Sequence, residues 1–197
     1  MVSKKSVGFV LVVGLIVISY FSVIRSRKSD VLIIGEAEAT SPSIWLEEAT
    51  NSDGSLKIVG KRKTVGENIG YSFNILDNQN NTNLLLFETV ADIGQTFAIP
   101  SNSWSSDNKY LFIQKNYLGG KDYYVFKADG SSFGDSKKFL EVGEYWRQSG
   151  NKEIIDHVSG WAGADLLVAY TTEPDGTGSK AYWFVIGSRK FMQVREL

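Results

Sequence analysis

The chain of 197 residues contains no cysteine, three prolines and one histidine. The missing thiols exclude a disulfide framework, cysteine-ligated zinc, iron–sulfur clusters and cysteine nucleophiles together. A lone His157 excludes a multi-histidine metal site within one chain. Three prolines beside nineteen glycines exclude collagen-like and proline-rich chains. Beyond residue 30 there is no long stretch with helical apolar spacing. What is present, 43% apolar and 22% charged residues, is a globular balance that excludes bulk disorder and a multi-span membrane protein.

The formal net charge of −1 conceals an asymmetry. Five of the 21 basic residues (Lys4, Lys5, Arg25, Arg27, Lys28) and none of the 22 acidic ones fall in the first 28 positions, so the remainder is net −6. That mildly acidic body argues against nucleic acid as its partner. The basic residues bracket Val7 to Ile24, eighteen residues without a charge. As a helix these would span roughly 27 Å, close to the hydrocarbon thickness of a bilayer. The expectation is an uncleaved signal anchor at 7–24 behind a short tail at 1–6, making a single-pass membrane protein with its C-terminal domain extracytoplasmic. Cleaved leaders need a shorter apolar core and small residues at the cut, and Ser19-Tyr20-Phe21 is a poor site. Lys4-Lys5-Ser6-Val7-Gly8-Phe9 resembles a pilin leader, but Val13 stands where that family carries a Glu.

Residues 25–54 read as a basic flank and linker holding one first strand, Val31–Ile34, with Glu36–Gly54 as linker or short helix. A β-repeat domain is expected over 55–197. There, short runs rich in β-branched and aromatic residues alternate with Gly, Asn, Asp and Ser clusters, the spacing of an all-β fold. Loops at Asp77–Thr82, Asn116–Lys121 and Glu173–Ser179 carry the residues that hairpin turns need. Phe139–Val142 reads as one more strand.

The strand signals repeat. Trp104 and Trp161 lie 57 residues apart, and each precedes an apolar strand, a Gly-containing loop and an aromatic second strand. A weaker third copy starts near Trp45 and includes the Tyr71–Thr89 hairpin. A repeat of this length with about four strands is the signature of a propeller blade. Ser103-Trp104-Ser105-Ser106-Asp107-Asn108-Lys109-Tyr110 resembles the Trp-Ser-Pro-Asp-Gly-Lys signature of TolB-like propeller repeats, and Asp129-Gly130 resembles that family's Asp-Gly turn. Ser106 replaces the Pro and Asn108 the Gly. The resemblance implies a structural role for Trp104, Asp107, Asn108, Asp129, Gly130 and Trp161, with each Trp wedged between blades. The fold expected is all-β, with about three four-stranded blades in an open or incomplete propeller behind one transmembrane helix. A β-sandwich is the alternative.

Chemistry is sparse. Asp156-His157 and Ser159 supply triad residue types, but adjacent strand positions face opposite ways, and no Gly-x-Ser-x-Gly elbow is present. Asp53-Gly54-Ser55, Asp129-Gly130-Ser131 and Asp175-Gly176-Thr177-Gly178 lack the alternating acids of an EF-hand loop and read as turns. No catalytic, metal-binding or cofactor-binding residue is expected. Adjacent aromatics remain: Tyr124, Tyr145, Trp146 and Trp183 are candidates for an outward binding face. The function expected is a non-catalytic, membrane-anchored domain binding a protein or peptide at the cell envelope. Alternatives are an accessory module of a larger enzyme or export complex and a pilin-like envelope subunit. A homo-oligomer completing a ring is a further expectation.

Overall fold

A computed structural model describes residues 44–194. These form twelve strands in three sheets. The first sheet holds β1 (Ile44–Thr50), β2 (Leu56–Val65), β3 (Asn68–Asp77) and β4 (Thr82–Ala91). The second holds β5 (Thr96–Ala98), β6 (Tyr110–Tyr117), β7 (Gly120–Lys127) and β8 (Leu140–Glu141). After a short helix, α1 (Val142–Gln148), the third holds β9 (Ile154–Trp161), β10 (Leu166–Thr172), β11 (Ser179–Val185) and β12 (Lys190–Gln193). Every sheet is an antiparallel meander whose spatial order follows the chain, the propeller-like pattern of one sheet per blade.

Two apolar layers separate the three blades. Tyr71, Phe73 and Ile75 alternate along β3 and pack with Leu111, Ile113, Tyr124 and Phe126 of the second blade. The intervening residues of those strands, Phe112, Tyr123 and Val125, face Val158, Leu167, Ala169 and Phe184 of the third. The middle blade is therefore covered on both faces, which is why β6 and β7 read as near-continuous apolar runs while β10 alternates strictly.

Sequence expectation and structure part at several places. The span at 7–24 and the strand at Val31–Ile34 lie outside the described residues, and among those described no helix is long and apolar enough to cross a membrane. Residues 44–50, expected within a linker or short helix, are the first blade's opening strand. A register shift between Trp45 and Glu48 breaks the alternation that would have marked them. Phe139–Val142 supplies only a two-residue strand, and the chain then turns into α1. Glu141 caps that helix without a side-chain bond. Instead the Asp122 carboxylate, buried on β7, accepts from the Gly143 amide at 2.8 Å and from its neighbour Tyr123 N at 2.7 Å. Burial pushes the Asp122 carboxyl up to about 6 against those bonds.

Candidate functional site

The turn that enters the second strand of each blade sets the geometry of the site. In the second blade, Ser105 N donates to Tyr110 O, Asn108 N to Ser105 O, and Lys109 N to the Asp107 carboxylate. The first blade repeats this bond for bond: Asn51 N to Leu56 O, Gly54 N to Asn51 O, and Ser55 N to the Asp53 carboxylate. Gly54 and Asn108 both take the left-handed conformation, at φ +75° and +61°. The third blade's turn is one residue shorter, closing from Ala162 N to Leu166 O. Thr50, Trp104 and Trp161 thus occupy one repeat position. The third copy is not keyed by Trp45, which lies earlier on β1 paired with Lys61.

Both tryptophans bond backwards by the same rule. Trp104 Nε1 donates to Ala49 O of the first blade at 2.9 Å, and Trp161 Nε1 to Ser103 O of the second at 2.8 Å. Ala49 and Ser103 each immediately precede the repeat position. The rings are half-buried, and Trp161 stacks on Tyr110 at 6.2 Å. Asp107 accepts from Ser105 Oγ and pairs with Lys109 at 2.9 Å. Burial opposes its ionisation, but the Lys109 and Ser105 hydrogen bonds outweigh that and hold the carboxyl below its ordinary range. Asn108, where the TolB-like signature has Gly, reaches the first blade: its Nδ2 donates to Asp53 at 2.9 Å, and its Oδ1 accepts from Ser52 Oγ.

Behind that bridge, a groove of about 570 Å³ opens between the first and second blades. Leu56, Ile75, Leu84, Tyr110 and Ala128 give it apolar walls. Asp77, Thr82, Lys109, Lys127 and Asp129 supply a polar, charge-balanced rim. Each rim carboxylate is fixed by its own turn. Asp77 accepts from the Asn80 and Gln79 amides at 2.9 and 2.8 Å, and Asp129 from the Ser131 amide at 2.9 Å. These bonds lower both carboxyls, chiefly through Asn80 for Asp77 and Ser131 for Asp129, so both are ionised at neutral pH. Lys127 Nζ donates to Ser132 O and lies over the Phe133 ring. Gly130 adopts φ +70°, and a Cβ there would lie 2.8 Å from Leu84 Cδ2, so only glycine leaves that wall in place. The size, and apolar walls with a few polar groups at the rim, fall within the range of ligand pockets.

The four aromatics expected to face outward separate. Tyr124 is buried in the layer between the first and second blades, because β7 is covered on both faces. Trp146 is buried on Tyr182 and Phe191, with its Nε1 donating to Glu153 O at 2.7 Å. Neither offers a ring to a partner. Tyr145 is half-exposed, beneath Lys137 and against Phe184. Trp183 is half-exposed on the third sheet's outer face.

Asp156 and His157 correct a different expectation. Asp156 sits at a register shift in β9, so neighbouring side chains do converge, and His157 Nδ1 lies 2.7 Å from Asp156 Oδ2. The imidazole stacks on Tyr170 at 4.9 Å. Among the described residues no serine hydroxyl hydrogen-bonds to it. Among the same residues, no group of three or more His, Asp or Glu side chains is placed to hold a metal.

No family model matches the chain, and no curated protein matches it. Among solved structures, it is similar to the β-propeller domain of the Trilobed protease from Pyrococcus furiosus, described as having an open velcro topology. Identity is 16% and the TM-score 0.45, with 78% of this chain and 43% of that one covered. The chain thus spans less than half the length of that structure, and the fold assignment here rests on the strand pairing above.

Proposed function

We propose that this protein is a non-catalytic, membrane-anchored, propeller-like domain of TolB-like repeats that binds a protein or peptide at the cell envelope through the groove between its first two blades. The observation that carries the reading is the groove itself: apolar walls from two blades, and a rim whose two carboxylates and two ammonium groups balance in charge. Such a lining favours an aliphatic or aromatic side chain presented on a peptide, whose amide groups meet the rim, over a highly charged ligand. The anchor rests on the uncharged run at 7–24 and its basic flanks.

Two measurements test the two parts. Extraction by detergent but not by high salt is expected for the full chain, and release by salt alone would refute the anchor. For the groove, short peptides carrying a central Leu or Phe should shift the amide resonances of Leu84, Tyr110, Ala128 and Asp129. Shifts confined to other residues would refute the site.

A further inference from the structure

The strand register gathers three turns of the first two blades at one end. Ile69, just after the β2–β3 turn, pairs with Ala91 at the end of β4. Thr96, just after the turn at 92–95, pairs with Asn116 beside the β6–β7 turn at 117–120. Two of these turns put a large apolar residue at the corner, ahead of a left-handed glycine: Ile93 before Gly94 at φ +81°, and Leu118 before Gly119 at φ +96°. Ile93 is 98% exposed and Leu118 97%. Val65, Ile69 and Tyr117, at the same turns, are exposed as well. Single exposed apolar side chains are ordinary, but turn corners are usually polar residues, Gly or Pro. The turns at the opposite end of these blades, 51–55, 77–82 and 105–109, keep to that rule and carry no exposed large apolar residue.

The chain enters the described residues at the end with the apolar tips. Ile44 pairs with Arg62, three residues before Val65, and nineteen residues separate Ile44 from the uncharged run at 7–24. The local charge also departs from that of the body. Residues 61–70, 88–95 and 115–121, which form these turns and the adjoining strand ends, hold five lysines and arginines against three acids, in a body that is net −6. Lys115 and Lys121 flank Tyr117 and Leu118. An apolar tip, an aromatic ring at the water boundary and lysines long enough to reach headgroups are the parts of an interfacial membrane contact.

We infer, on the anchor reading given above, that this end of the first two blades rests on the bilayer surface with Ile93 and Leu118 inserted at headgroup level. Tethering makes the contact intramolecular, so two side chains suffice where an untethered domain would bind weakly. The third blade's loop at this end, Glu173-Pro174-Asp175-Gly176, is acidic and takes no part. The groove between the first two blades opens at the opposite end, where Asp77, Lys109 and Asp129 lie, and so faces away from the membrane.

The absence of cysteine allows single nitroxide labels at Ile93→Cys, at Leu118→Cys and, in the exposed turn at 77–82, at Gln79→Cys. The full chain is reconstituted into vesicles of equal parts phosphatidylcholine and phosphatidylglycerol and floated on a density gradient. Power saturation with oxygen and with an aqueous nickel chelate then reads the depth of each label. Labels at 93 and 118 should lie about 5–10 Å inside the headgroup boundary, and the label at 79 in water. Vesicle-bound protein whose labels at 93 and 118 meet the nickel chelate as freely as that at 79 would overturn the inference, keep the anchor, and leave the tips to a protein partner. Protein that fails to float with the vesicles would overturn the anchor and the inference together.

Discussion

Replacing Trp161 with Phe separates the two things its indole does. The benzene ring keeps most of the contact with Tyr110 and Phe112, whose ring centroids both lie 6.2 Å from the indole's. The N–H to Ser103 O is lost, and with it one of the polar links between the second and third blades. A neutral hydrogen bond contributes about 1 kcal/mol net, and Ser103 O keeps the Phe112 amide as its remaining partner. The smaller ring forfeits about another 1 kcal/mol of burial. Trp161→Phe should therefore cost about 2 kcal/mol. Trp161→Ala should cost about 3 kcal/mol, the low end for tryptophan truncation because the ring is half-exposed. Against the 5–15 kcal/mol of a typical domain these are large fractions. Trp104 donates to Ala49 O by the same rule, so Trp104→Phe should cost the same to within about 1 kcal/mol. Urea unfolding followed by far-ultraviolet circular dichroism reads all three variants without depending on tryptophan emission. Phe variants as stable as the wild type would refute a bonding role for the indole nitrogens. A large cost at one tryptophan and none at the other would refute their equivalence.

Other substitutions address the turn, the groove and the buried acid. Asn108→Asp sets a second carboxylate against Asp53, itself held below its ordinary range first by its Ser55 bond. It should lower the unfolding midpoint at pH 7, with the gap to wild type closing below about pH 4 as carboxylates protonate. Gly130→Ala should cost about 1–2 kcal/mol through its left-handed backbone and drive Leu84 into the groove, weakening peptide binding measured by calorimetry; unchanged binding would refute the wall assignment. Asp122 is raised to about 6 by burial, so between about pH 4 and 6 the folded protein holds a proton that the unfolded chain has released. Its contribution to stability is present below that window and lost as pH rises through about 6. Asp122→Asn should therefore gain on wild type by about 2 kcal/mol at pH 7.5 and by little at pH 4; a constant difference across that range would contradict the assignment.

Local chemistry made the hairpins legible, since Asp, Asn and Gly mark turns wherever tertiary context permits them. Trp104 and Trp161 announced the repeat for the same reason: one residue type at one spacing in one local context. The first blade was harder to read because Thr50 replaces the tryptophan, although Asn51-Ser52-Asp53-Gly54-Ser55 folds into the same turn as Ser105–Lys109. A register shift hid β1, and α1 is too short for a periodicity to declare itself. Tyr124 and Trp146 looked like surface rings because adjacency implies opposite faces, but cannot say whether another blade or strand covers both. The groove was the least legible feature, because Leu84 and Ala128 meet only when two blades stack.

Site-specific photocross-linking in living cells tests the central claim, that the groove between the first two blades engages a protein or peptide. A photoreactive residue at Thr82, on the groove rim, should yield a discrete cross-linked product that Gly130→Ala diminishes. The same residue at Thr64, exposed on β2 away from the groove, should yield none. No product from Thr82, or an equal product from Thr64, would contradict the claim.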